Sequence, residues 1–229
     1  MALFCSLGVW QLDRGKQKQA MLVQSQGVLA ARKPLPLSAA ADPARAEAYD
    51  WAQGQGRFLD KPAVLLDNQI SEGRSGVRVY RVFQPSMPQG DAAATPPVLV
   101  ELGWLPLPGD RALPRIESFT ATTQVAGLLA PPPSAGLAAA VVSPQVDGNL
   151  LATSLDHAAL AGALQLPMLA PRVLRLDPAF KVGYLRDLNI LPNTLPPERH
   201  LGYAVQWFGL ALTVLITALV LTLRKRRRR

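Results

Sequence analysis

The last thirty or so residues break the pattern of the rest of the chain. From Leu201 to Leu223 a run of 23 residues carries no charge, and Arg224-Lys-Arg-Arg-Arg-Arg229 follows at once. As a helix rising ~1.5 Å per residue, that run slightly exceeds the ~30 Å hydrocarbon core of a bilayer. A buried core helix rarely runs so far without a charge and then ends in six cations, so 200–223 reads as a transmembrane helix. The positive-inside rule keeps the basic tail, 224–229, in the cytoplasm and puts everything before the helix across the membrane.

At the other end, Met1 to Leu12 is mostly apolar and has no charged side chain, but as a helix it reaches only ~18 Å. The segment 1–12 reads as the second half of an N-terminal membrane helix, with Asp13, Arg14, Lys16 and Lys18 as its polar flank. A domain held across the membrane from a cytoplasmic tail needs an upstream segment to start its translocation. No charged n-region with a full apolar h-region is present, so the natural protein is expected to begin earlier, with a complete signal anchor.

Between the two spans, 13–199 reads as one domain. Residues from Asp13 to about Ala31 suit a helix ended by Pro34 and Pro36, and Ala39 to Tyr49 suits a weaker helical turn or loop. Short β-rich runs follow at Gly56–Leu59, Ala63–Leu66, Val77–Phe83 and Val98–Leu102, separated by Asp67-Asn68, Glu72-Gly73 and a loop from Gln84 to Pro97. Val77, Val79, Val82 and Phe83 nearly alternate with Arg78, Tyr80 and Arg81, which predicts a sheet with one wet face. Further strands are expected at Gln124–Leu129, Gly148–Thr153 and Arg172–Leu176. Ser154 is placed to cap a helix from Leu155 to Leu164, with Asp156 in its first turn. The fold class is therefore an α+β or mainly β extramembrane domain between an apparently truncated N-terminal and a C-terminal transmembrane helix. Twenty-one prolines and 17 glycines fit a domain of turns and short strands.

Charge alters this picture less than the net +8 suggests. Without the six tail cations, 18 basic residues face 16 acidic ones, so the domain is nearly neutral and nucleic acid is not an expected partner. The tail can instead lie against anionic lipid headgroups. A single cysteine, Cys5, leaves no disulfide framework and no Cys-x-x-Cys pair. Two histidines and four scattered methionines argue against a thiolate or thioether copper site.

Two places could carry chemistry. Ser154, Asp156 and His157 are too close in sequence to converge readily as a triad, and a capped helix start explains them more simply. Asp147 and Asp177 have no partner histidine at a recognisable spacing, so the chain is not read as an enzyme. His200 stands at the non-cytoplasmic edge of the last helix, where a neutral imidazole can ligate a haem iron. Tyr203 and Trp207 fall on nearly the same helix face, with Gln206 at its margin. The same aromatics also suit an interfacial belt, and such a histidine can simply bond water or backbone; chemistry alone leaves both open. Pro196 and Pro197 suit the first turn of this helix. Thr213 and Thr217 could pack against a second helix, for which the N-terminal span with Trp10 and Gln11 is the natural partner, or could face lipid.

Four motifs in order bear on the choice. They are Gly8-Val-Trp10-Gln11-Leu12-Asp-Arg14 with Lys18, and Leu66-Asp67-Asn68 followed by Gly73 and Gly76. Val98-Leu-Val100-Glu-Leu-Gly103-Trp104-Leu-Pro106 comes next, and then Pro197-Glu-Arg-His200-Leu-Gly-Tyr203-Ala204-Val-Gln206-Trp207-Phe208. Together they resemble the surfeit-locus cytochrome c oxidase assembly proteins over nearly the whole chain. The chain departs from that family's pattern at Leu102, where an arginine is usual, and at Gln69, where an arginine often follows the asparagine.

The resemblance implies an inner-membrane, multi-pass assembly factor of haem-copper cytochrome c oxidase with a periplasmic domain and a cytoplasmic C-terminus. It implies oxidase subunits and other assembly factors as partners, and haem A as a cofactor handled through His200 as metal ligand; Tyr203, Gln206 and Trp207, which helix periodicity puts beside it, complete the expected cofactor site. Glu198 and Arg199 could pair with haem propionates or sit in water. A membrane-anchored scaffold that stabilises oxidase subunits without binding haem is the alternative.

Overall fold

A computed structural model describes residues 1–86, 95–117, 119, 123–134, 140–191 and 195–227. It divides into two compact units, Met1–Gln24 with Thr194–Arg229, and Ser25–Asn193. Helix α1 spans Ala2–Ala31, so the expected half-span and the helix after it are one continuous element; its residues through Gln24 belong to the first unit.

Among its described residues, the Ser25–Asn193 unit holds a mixed nine-stranded sheet and one short helix besides the end of α1. Its strands are β1 (Pro34–Pro36), β2 (Asp50–Phe58), β3 (Val64–Ser71), β4 (Arg74–Pro85), β5 (Val98–Pro106), β6 (Gln124–Ala130), β7 (Val142–Pro144), β8 (Leu150–Ala152) and β9 (Val173–Leu176). The helix is α2 (His157–Ala163). Strand order is β1-β2-β6-β9-β5-β4-β3-β8-β7. The last residues of β4 also pair with β2, through Gly56↔Pro85 and Phe58↔Phe83, which closes β2, β6, β9, β5 and β4 into a ring. A mixed sheet together with helices is what the described residues show, with most of the helical residues in the other unit.

The expectation of one wet sheet face does not hold. Arg78, Tyr80 and Arg81 are all buried, because both faces of the sheet are covered. Val77, Val79, Phe83, Val98, Val100, Leu102, Leu174 and Leu176 build one core cluster. Tyr80, Val82, Leu99 and Val173 turn to the other face and pack with Leu160 and Leu164 around α2. Strand parity puts Arg78, Glu101 and Arg175 on this second face as well. There Glu101 bridges the two arginines: Arg175 Nε donates to its Oε2 at 3.0 Å, Arg78 Nη1 donates to Oε1, and the Tyr80 hydroxyl donates to Oε2 at 3.2 Å. Burial by itself would favour the neutral acid, but Arg175 and Arg78 outweigh it and hold the Glu101 pKa below the ordinary carboxylate value.

The glycines of the central motifs have structural reasons. Ser71 pairs with Arg74 across a two-residue turn in which Glu72 and Gly73 both have positive φ, the conformation that a tight hairpin requires. Asp67-Asn68, read as a turn between strands, is instead a bulge within β3, with one extra residue between Leu66 and Gln69 and Asn68 at φ 56°. Gly76 leaves the space that the Trp104 ring fills; a Cβ there would lie 2.4 Å from the indole. Trp104 Nε1 donates to Gln69 O at 3.2 Å. Gly103, at φ 125°, lets Trp104 N and Tyr184 N bond Leu185 O and Leu102 O, each at 2.7 Å. Leu102, one of the two departures noted in the sequence, is fully buried.

The helix expected at Leu155–Leu164 is shorter and capped differently. Asp156, not Ser154, is its N-cap, its side chain accepting from Ala159 N at 2.8 Å. Single 3₁₀ turns at Leu37–Ala41 and Pro43–Arg45 account for the region read as a helical turn or loop.

Helix α3 (Pro197–Arg227) completes the other unit. It begins at Pro197, whose missing N–H costs nothing in a first turn. It is long and apolar enough to cross a membrane, and only 11% of its most apolar stretch is buried. Leu201, Val205, Leu212, Ile216, Leu219 and Leu223 are all exposed. A soluble protein's core helix would bury such side chains, so a lipid environment is what this surface fits.

Candidate functional site

Within the helix-pair unit, α3 buries three residues, His200, Ala204 and Ala211. Offsets of four and seven put them on one helix face, and two of the three are small enough for close helix approach. The facing small residues of α1 are Gly8 and Gly15. A Cβ on Gly8 would lie 2.7 Å from the Phe208 ring, and one on Gly15 would lie 3.4 Å from His200 Cβ and 3.5 Å from Pro197 O. Phe4 stacks on Trp207 with ring centroids 5.8 Å apart and planes 20° from parallel. Lys18 Nζ donates to Leu195 O at 2.6 Å.

His200 lies where these helices meet. Its Nδ1 is 2.7 Å from Gln11 Oε1, across 189 positions of sequence, and its Nε2 is buried with no hydrogen-bond partner among the described residues. Such an orphaned ring nitrogen, with the other nitrogen held by a polar group, is the arrangement found when histidine ligates a metal. The fit to a haem iron is therefore at one atom. Nε2 has essentially no exposed surface, so the side chains covering it must turn aside before any ligand reaches it.

The other residues expected beside it are not held together. Trp207 is half-buried and faces α1 through Phe4, whereas Tyr203 and Gln206 are exposed. The face expected to carry a porphyrin is thus split, one part packed against α1 and one part open. Glu198 and Arg199 are exposed. Thr213 and Thr217 bond the carbonyls of Gly209 and Thr213 in their own helix, at 2.9 and 2.8 Å, and are exposed rather than packed on α1. Trp10 is exposed too. The residues that sequence reasoning did not single out are Gly15, Phe4 and the Gln11 contact itself; Gly8 and Gln11 stood in the first motif without an assigned contact.

The rival constellation does not assemble as a triad. The Asp156 carboxylate is engaged by the α2 cap, and among the described residues neither Ser154 Oγ nor His157 Nε2 has a hydrogen-bond partner. Among the described residues no group of three His, Cys, Asp or Glu could hold a metal ion.

Residues 1–212 match the SURF1 family. The chain belongs to the SURF1 family. That family is associated with cytochrome oxidase assembly and is not a known catalytic family. The match takes in the sheet domain, α1 and α3 as far as Leu212, so it includes the Gln11–His200 contact. No curated protein matches the chain.

Proposed function

We infer that this SURF1-family chain is a membrane-bound, non-catalytic assembly factor of haem-copper cytochrome c oxidase that takes haem A as cargo through His200. Its sheet domain stands in the periplasm and its basic tail in the cytoplasm, an orientation supported by the six cations after α3. The observation that carries the reading is the buried imidazole with Nδ1 engaged and Nε2 unpartnered. His200 Nε2 would supply a nitrogen ligand to the iron of such a haem. Trp207 and Phe4 supply an apolar, aromatic wall one to two turns further along, and the exposed Tyr203 and Gln206 offer hydroxyl and amide groups to ring substituents. Because Nε2 is covered, loading and release require side chains around His200 to move, which suits a carrier that must give its cargo up.

The test is genetic and quantitative. A strain lacking the chain should make oxidase with low haem occupancy, restored by the wild-type gene and not by His200→Ala. Full restoration by His200→Ala would remove haem delivery through this residue.

A scaffold that never binds haem is the second reading, favoured by a cleft of about 450 Å³ in the sheet domain whose lining includes Lys61 and Arg115 beside Asp147 and Asn149. Charges of both signs in a concavity suit a polar segment of a partner protein. Co-purification of oxidase subunits without pigment would favour it.

A further inference from the structure

We propose that Gln11 is a positioning residue that fixes the tautomer of His200 and aims its Nε2 lone pair as the ligand. The ligand half of this statement rests on the haem reading above; the tautomer half does not.

The argument starts from what each group can do. A neutral imidazole has one N–H and one lone pair, and an amide oxygen only accepts. With Gln11 Oε1 2.7 Å from Nδ1, the proton must be on Nδ1, which leaves the lone pair on Nε2, the atom without a partner. In water such a lone pair would be hydrated; here it is both buried and unbonded, which costs free energy unless something else uses it. A polarised Nδ1–H also makes the opposite nitrogen a better donor to a metal.

The backbone explains why a glutamine can do this. Gln11 lies one helical turn before Gly15, where the absence of a side chain lets α1 approach His200 Cβ closely. At that separation a half-buried glutamine side chain spans the gap to the ring. Gln11 therefore orients His200 rather than offering itself to the iron.

The chain has only two histidines, His157 and His200, so its ring nitrogens can be read individually. The experiment is ¹⁵N NMR of the full chain, labelled at histidine and held in detergent, with His157→Asn to assign the signals. Wild type should show a protonated, pyrrole-type Nδ1 and a bare, pyridine-type Nε2 at His200. Gln11→Leu should move the proton toward Nε2 or give a mixture, while Gln11→Glu, whose carboxylate also accepts, should keep it on Nδ1. The same variants purified from a haem A-producing host should follow suit. Gln11→Leu should bind pigment about 10–100-fold more weakly, the usual loss when the partner of a metal-ligating histidine is removed, and Gln11→Glu should retain it.

A pyridine-type Nδ1 in wild type means that the glutamine presents its NH₂ instead, and overturns the proposal. So does a His200 tautomer unchanged in Gln11→Leu, or pigment bound by Gln11→Leu as tightly as by wild type. Wild-type protein that carries no haem while Nδ1 is protonated overturns the haem reading, and with it the ligand half, and leaves the tautomer assignment standing.

Discussion

Replacing Glu101 with alanine removes the carboxylate shared by two buried guanidinium groups. Arg78 and Arg175 have side chains only 6% and 7% exposed, so water cannot take over the lost contacts. Arg175 keeps Asp187 Oδ1 at 3.6 Å and Asp187 O at 3.3 Å. For Arg78, by contrast, Nε already has no hydrogen-bond partner among the described residues. Breaking a buried ion pair by deleting one partner costs about 3–5 kcal/mol, a large part of a typical domain's ~5–15 kcal/mol. Arg78→Met is the informative contrast. It removes the poorly satisfied cation and leaves Glu101 with Arg175 and Tyr80, so the loss should be smaller, about 1–3 kcal/mol, as for a charged hydrogen bond. Urea unfolding of the full chain in mild detergent, followed by the fluorescence of Trp51 and Trp104 with Trp10 and Trp207 changed to phenylalanine, measures both. If Glu101→Ala costs less than about 1 kcal/mol, or Arg78→Met costs as much, the network is not what secures this face of the sheet.

Acid should act on the same groups. Glu101 and Asp50 both have pKa values below their ordinary 4.5 and 3.8, because arginines outweigh the effect of burial. Their stabilisation is therefore complete above those values and is lost as pH falls through the lowered ones; a urea midpoint that does not fall between pH 6 and pH 3 would contradict this. Gly76→Ala should destabilise the sheet domain by about 1–3 kcal/mol, since its Cβ would meet Leu105 O at 2.3 Å and the Trp104 ring. Gly109→Ala, with open space around it, should leave the thermal midpoint unchanged, and equal shifts for the two would refute the packing argument. For topology, a cysteine at exposed Ser38 in a Cys5→Ser background should react with an impermeant thiol reagent from the periplasmic side. One placed in the basic tail should react only after the membrane is opened, and the reverse pattern would invert the orientation.

What could be read from the sequence was whatever depends on local pattern. The uncharged run ending in cations placed α3, and apolar β-rich runs located seven of the nine strands within a few residues. The two strands without a forecast, β1 and β7, are three residues long and contain prolines, which weaken any strand signal. The first half of β2 was hidden by Gln53, Gly54 and Gln55, where Gly54 is needed for the approach of Leu37 Cβ, 2.7 Å from where a Cβ would sit. The wet face failed because arginine normally marks solvent. The charges that bury Arg78 and Arg172 are Glu101 and Asp50, 23 and 122 positions away. At the site, His200 stood out by its place at the helix edge. Its bond to Gln11 spans 189 positions, and no periodicity connects residues on two different helices.

The most direct test of haem A as the cargo is the absorption spectrum of the full chain purified in detergent from a host that makes haem A. The account predicts a haem A spectrum in wild type that disappears in His200→Ala. A colourless wild-type protein, or an unchanged spectrum in the variant, would contradict it.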